Sequence, residues 1–367
     1  MNIKKIISVV TLFCSLTFVF SLQLPLFQGS LGKLEDAYYA FDSNKYGKAL
    51  EYVEEAKQIR KKEVDDYLSI LNKSLSPYAV KEVGDRIPAV LSVLESREDY
   101  DAHNLIKYLV DLKGASYFNN SVNEVQKYLT LKELMPEASY LIGHIYEYEG
   151  EYDLAVKYYT SAWNNSHVLE IPDSKYDILY DLAKLSFNFN KFEESEKSLL
   201  LIIASDSNFK DVAFKRAIIS SVEKGYSADK IFNLYRTDCY RSITAFFLLS
   251  DLYSEKGKNQ QVFEMALYGV LTSFTRMNEI LQSRRVDYTY TTLHEFFKIA
   301  MQNAEIKQWT IDINFWKAFY RLADVATELY PENGDFGPIL MEVIYLHAPE
   351  TYWKNLAGIK LSKNLIN

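Results

Sequence analysis

Cysteine is nearly missing from this chain: there are two in 367 residues, Cys14 and Cys239. Cys14 lies in an apolar N-terminal stretch, so loss of that stretch leaves Cys239 alone, forbids an internal disulfide and makes the fold rest on packing. The lone thiol in "RTDCYRS" reads as a small buried hydrophobe. Glycine and proline are also scarce, 13 and 8 residues, too few to punctuate an all-β fold of this length. The five histidines, His103, His144, His167, His294 and His347, stand singly, and "HEFFK" from His294 lacks the second histidine of a zinc-protease helix. Neither a glycine-rich phosphate loop nor a nucleophile elbow occurs. Positive charge is in deficit, 41 Lys and Arg against 49 Asp and Glu for a net charge of −8, the wrong sign for a protein that lives on phosphate backbones. These absences set the expectations of no enzyme activity, no cofactor, no metal and no nucleic-acid partner.

The N-terminus "MNIKKIISVVTLFCSLTFVFSLQLP" has a short basic region at Lys4 and Lys5, then an apolar run from Ile6 to Phe20. That run suits a signal-peptide core and is short for a bilayer-crossing helix, which needs about 20 apolar residues. Val19 and Ser21 occupy the small-residue positions of a cleavage after Ser21, so residues 1–21 read as a leader or an N-terminal anchor. Phe13 is too bulky to precede a lipid-modified Cys14. The expected location is therefore outside the cytoplasm: periplasmic, or held to the inner membrane by an uncleaved N-terminal segment, the chain's one expected membrane contact.

The rest has the composition of a folded globular protein, 48% hydrophobic and 25% charged. Apolar positions recur at three- and four-residue steps over segments of about 12 to 16 residues, the stripe of an amphipathic helix. Short breaks such as "DSNKYG", "YEGEYD", "SDSNFKD" and "EKGKNQ" separate these segments. Consecutive antiparallel helix pairs over residues 22–367 follow, with no linker long enough to mark a second domain.

A period then emerges. In "SYLIGHIYEYEGEYDLAVKYYTSAW" the residues Ile142, Gly143, Tyr146, Gly150, Tyr152, Ala155, Tyr159 and Ala162 fall at steps that resemble the tetratricopeptide repeat, a unit of about 34 residues forming helix A, turn and helix B. Gly143 and Ala155 stand where the two helices approach most closely, Tyr146 and Tyr159 fill the flanking space, and Gly150 ends helix A in a conformation that suits glycine. Weaker copies place Ala37, Asn44, Tyr46, Ala49, Val53 and Ala56 at the matching steps near the start. Leu182, Ala183, Asn190, Phe192, Ser195 and Leu199 follow, then Leu249, Ser250, Tyr253, Gly257, Val262, Ala266 and Gly269. The best units are residues 30–63, 136–169, 176–209 and 243–276. The proline expected after helix B is replaced by His167, and one interval runs about 40 residues instead of about 34. Residues 63–133, 208–242 and 276–367 read as degenerate units or caps.

The resemblance implies an all-α fold, a right-handed superhelix of antiparallel helix pairs with a concave inner surface that displays helix-A residues. It implies a non-catalytic scaffold or adaptor that binds a protein partner. By the family's pattern the inner positions are Glu137, Tyr140, His144, Glu147 and Tyr148, then Asp177, Tyr180, Lys184, Phe187 and Asn188, then Thr244, Phe247, Asp251, Ser254 and Glu255. A line of rings at Tyr140, Tyr180 and Phe247, rimmed by acids, suits an amphipathic helix or extended peptide carrying Lys or Arg; the competing reading is that these rings fill the space between helices. The acids of "EYEGEYD" lack the spacing of a calcium loop and read as a solvated turn. Richness in Ile, Lys, Asn, Phe and Tyr, together with the leader, resembles exported periplasmic repeat scaffolds of spirochaetes, some of which assemble around the flagellar motor. Two alternatives remain: a periplasmic chaperone or outer-membrane assembly factor, and a cell-wall-active enzyme using a carboxylate pair about 5 to 9.5 Å apart.

Overall fold

The computed structural model describes residues 26–75, 83–209, 212–284, 288–331 and 335–364; the leader expected at 1–21 lies outside them. The protein is all-α, as its periodicity requires. Among the described residues the one extended pairing is an isolated bridge between Arg86 and Ser121, and no helix is long and apolar enough to cross a membrane. The chain divides into two compact units, one ending at Ile178 and one beginning at Leu179, and each is described by itself.

The first unit contains α1 (Gln28–Asp42), α2 (Tyr46–Ser74), α3 (Ile87–Ser96), α4 (Tyr100–Lys113), α5 (Val122–Leu131), α6 (Pro136–Glu149) and α7 (Tyr152–Asn164). A sharp turn joins α1 to α2 through Asn44 at φ 57°, the left-handed region that asparagine tolerates better than most residues. Pro136 opens α6 with its fixed φ, and Gly150 closes it at φ 80°, so that the amides of Gly150 and Glu151 return to the carbonyls of Glu147 and Tyr146 at 3.2 and 2.9 Å.

Leu34, Ala37 and Ala40 of α1, Ala49, Val53 and Ala56 of α2, and Ala138, Leu141, Ile142 and Ile145 of α6 form one core. The unit at 30–63 therefore sits directly against the unit at 136–169, and the intervening residues are not stacked between them. The physical cause is the length of α2, 29 residues, about twice a helix of the repeat. Its overhang carries a second apolar stripe, Val64 and Leu71, which forms a separate core with Ile87, Val90 and Leu94 of α3, Ile106 and Leu109 of α4, and Val125 and Leu129 of α5. Residues 63–133, expected as degenerate units or caps, make a side bundle on that overhang.

Helix α8 (Lys175–Asn188) spans the division between the units. The second unit continues with α9 (Phe192–Ala204), α10 (Val212–Glu223), α11 (Ala228–Leu234), α12 (Ile243–Glu255), α13 (Asn259–Arg284), α14 (Leu293–Ala300), α15 (Ala304–Asp312), α16 (Phe315–Leu329), α17 (Phe336–His347) and α18 (Thr351–Asn364). Helix α13 is the long element here, 26 residues, with most of its side chains between Val262 and Leu281 buried. Phe296, Phe297, Phe315, Trp316 and Phe319 gather around its far end, and the Trp316 indole donates to Thr310 Oγ1 at 3.2 Å, the partner a buried indole requires. Cys239 is buried, with hydroxyls of Thr237 and Thr272 at 2.8 and 3.7 Å, and burial pushes its thiol up. It behaves as the buried hydrophobe expected.

Candidate protein-binding surface

Helix α6 carries the first five of the expected inner positions, and its packing sorts them. Gly143 has no side chain because the Tyr159 ring occupies the place: a Cβ built there would lie 2.3 Å from Tyr159 Cδ1. Ala155, the expected partner of Gly143, is buried one turn away, so the close approach is glycine to ring face. Tyr159 is fully buried. Its hydroxyl donates to Glu147 Oε2 at 2.7 Å and accepts from His144 Nδ1 at 2.8 Å, which makes Nδ1 the protonated nitrogen of that ring. Tyr140 lies against both, with ring centres 4.4 Å from His144 and 5.6 Å from Tyr159.

Tyr140 is therefore buried, 5% exposed, and fills the core of its helix pair. Glu137 is not displayed either. Its Oε1 accepts the Glu170 amide at 2.6 Å and its Oε2 is shut off from solvent. Burial first, then the Glu170 charge, pushes its carboxyl up. Glu170 anchors a buried ionic cluster behind this face. Arg60 Nη1 reaches Glu170 Oε1 at 2.9 Å and Lys132 Nζ reaches the same oxygen at 3.0 Å, both cations being 1% exposed. Lys132 also donates to the Val168 carbonyl at 2.9 Å, and burial pulls its ammonium down while Glu170 opposes this. Arg60 Nε donates to Ser30 Oγ at 2.8 Å, Ser30 donates to Glu63 Oε2 at 2.6 Å, and the Arg60 guanidinium lies 4.1 Å from the Phe27 ring centre. The cluster ties α1, α2, α6 and the segment after α7 together.

Tyr148 has the opposite fate. It is 67% exposed, yet its ring is held edge-on against Phe41 with centres 5.2 Å apart and lies 6.2 Å from Tyr46. Phe41 is in turn 6.2 Å from His144, and the Tyr46 hydroxyl donates to Asn44 Oδ1 at 3.0 Å. The end of α1, the start of α2 and the end of α6 thus build one aromatic patch, in which Phe41, Tyr46 and His144 are half-buried and Tyr148 is exposed. Exposed Asp42, Glu149 and Glu151 stand beside it in the chain. Phe41 is a residue that the motif reading passed over. Aligning Ala37 with Gly143 places Phe41 where Glu147 stands, so the repeat offsets already contained it.

In the second unit the expected positions are largely engaged. Phe247 is 7% exposed and presses on Gly269, where an added Cβ would lie 2.5 Å from its ring; with Tyr140, buried against His144 and Tyr159, it corrects the expected line of displayed rings, because both rings fill space between packed helices. Asp251 accepts from Lys317 Nζ at 2.5 Å and pairs with Arg321, which fixes α12 to α16. Tyr180 is half-buried, and desolvation first, then Asp181 and Asp251, pushes its phenol up. Phe187 lies 5.7 Å from Phe192, and Lys184 is half-buried. Among the described residues no three His, Cys, Asp or Glu side chains gather as ready-made metal ligands.

Part of this patch, His144 and Tyr148, lies in a segment with a family match. Residues 136–162 match the family model of the tetratricopeptide repeat. With that match, the helix pairs around α6 and α7 read as a tetratricopeptide-like helical repeat, the architecture described above. A protein of Treponema pallidum, described only as uncharacterized, is 24% identical over 296 residues, covering 80% of this chain and 79% of its own. A second uncharacterized protein, from Borreliella burgdorferi, is 24% identical over 243 residues, covering 60% of this chain and 74% of its own. Neither description names an activity.

Proposed function

We propose that this protein is a non-catalytic scaffold or adaptor of the bacterial cell envelope that binds a protein partner on the patch of Phe41, Tyr46, His144 and Tyr148. The observation that carries the reading is Tyr148: a large ring left 67% in water but braced by two others, so it loses little conformational entropy on binding. The acids beside it favour a partner segment that presents Lys or Arg next to an apolar side chain. Export, and a place in the periphery of a periplasmic flagellar motor, are the finer part of the proposal. The apolar run at residues 6–20 supports export, and relatives in two spirochaetes support the cellular setting.

Affinity capture followed by mass spectrometry tests the surface, with Tyr148→Ala as the control. The variant is expected to keep its thermal midpoint, since exposed substitutions change stability by no more than about 0.5 kcal/mol. It is expected to lose the partner by roughly 30-fold or more in affinity, the loss of about 2 kcal/mol typical of an interface anchor. An unchanged set of captured proteins would reject this surface while leaving the fold intact. Deleting the gene and imaging the cell envelope tests the motor role: normal motility with an intact motor periphery removes it.

A further inference from the structure

Helices α14 and α17 bring together two histidines that are far apart in the chain. His294, the second residue of α14, and His347, the last of α17, face each other with Nδ1 of the first 3.4 Å from Nε2 of the second. The other nitrogen of His294, Nε2, lies 3.8 Å from Glu342 Oε2. At that distance the carboxylate is an electrostatic neighbour of the ring, not its hydrogen-bond acceptor; its charge favours the tautomer with the proton on Nε2 and the Nδ1 lone pair towards His347. Both rings are half-buried, so water and ions reach the gap.

We propose that His294 and His347 form a binding site for a divalent transition-metal ion of the zinc and nickel class, with Glu342 as the outer carboxylate that orients His294. Two imidazole nitrogens on one tetrahedral zinc, each about 2.0–2.1 Å from it, stand about 3.4 Å apart, the separation found here. Imidazole ligands select zinc, nickel and copper over calcium and magnesium, which require oxygen. The remaining coordination positions are open to water.

Charges of both signs surround the pair. His347 ends α17, where the helix dipole is negative, and Glu295 and Glu342 stand near it together with the cations Lys298 and Lys354. A bound ion would clip α14 to α17 at a point where the two side chains otherwise share a single proton.

Calorimetric titration of the full chain, prepared without a polyhistidine tag, decides between the two occupants. Zinc or nickel is expected to bind one per chain and to raise the thermal midpoint, while magnesium and calcium do neither. His294→Ala and His347→Ala are each expected to weaken binding at least about tenfold, and Glu342→Gln about tenfold, as for loss of an outer-sphere partner. Cobalt is expected to give the visible absorption of a nitrogen-ligated tetrahedral ion, lost in both histidine variants, and binding is expected to fall as pH drops below the imidazole range. Circular dichroism confirms that the variants fold. Zinc uptake that survives in both histidine variants, or no uptake by the wild type at millimolar metal, would overturn the site and leave a proton-sharing pair.

Discussion

Glu170→Ala is expected to destabilise the first unit by about 3 kcal/mol, the lower end of the 3–5 kcal/mol range for breaking a buried ion pair, because Glu170 itself is 21% exposed. The cost comes from what remains. Arg60 and Lys132, both 1% exposed, would lose their shared anion and keep only Ser30 Oγ, the Val168 carbonyl and the more distant Glu63 as partners. Urea unfolding followed by hydrogen exchange in α1, α2 and α6 measures the loss. Replacing all three charges together, Arg60→Met, Lys132→Met and Glu170→Leu, is expected to recover most of it, since an apolar set of similar volume avoids the desolvation that the ions incur. A Glu170→Ala protein within about 1 kcal/mol of wild type would mean that water reaches the cluster and screens it.

Gly143→Val is expected to unfold the repeat at 136–162 or to cost at least about 3 kcal/mol, the upper end of ordinary overpacking. An added Cβ would lie 2.3 and 2.5 Å from two carbons of the Tyr159 ring. That ring cannot swing away, because it is fully buried and its hydroxyl is tethered to His144 and Glu147. Gly150→Ala is the contrast: nothing lies within 4 Å of its Cβ position, and only φ 80° opposes the change, a strain of about 1–2 kcal/mol. Adding Tyr159→Leu to Gly143→Ala tests the mechanism in a double-mutant cycle. The pair is expected to be less destabilised than the sum of its parts; strict additivity would show that the ring is not what excludes the side chain.

Residues close in sequence were read well. Apolar spacing at three and four residues places the helices, and Gly143, Gly150 and Tyr159 mark the repeat, because these requirements act within one helix or across one turn. The same logic extends poorly to the proposed binding surface. A ring at an inner position looks identical in sequence whether a glycine opposite leaves room for it, as with Phe247 on Gly269, or whether it projects into water like Tyr148. Leu141 and Tyr148 are both large and apolar in part; only their neighbours distinguish them.

By itself the sequence determined the helical class, the repeat centred on α6 and α7 and the place of its tight glycine, all consequences of local periodicity and of the space a backbone turn allows. Tertiary structure decided the rest. It set the unit at 30–63 directly on the unit at 136–169, because α2 is long enough to carry the intervening helices on its overhang. It buried Arg60 and Lys132 around one carboxylate, exposed Tyr148 beside Phe41, and brought His294 to His347. Each of these pairings joins residues far apart in the chain, and which stripe of one helix meets which stripe of another is settled by the shapes that fit, a quantity no single segment contains.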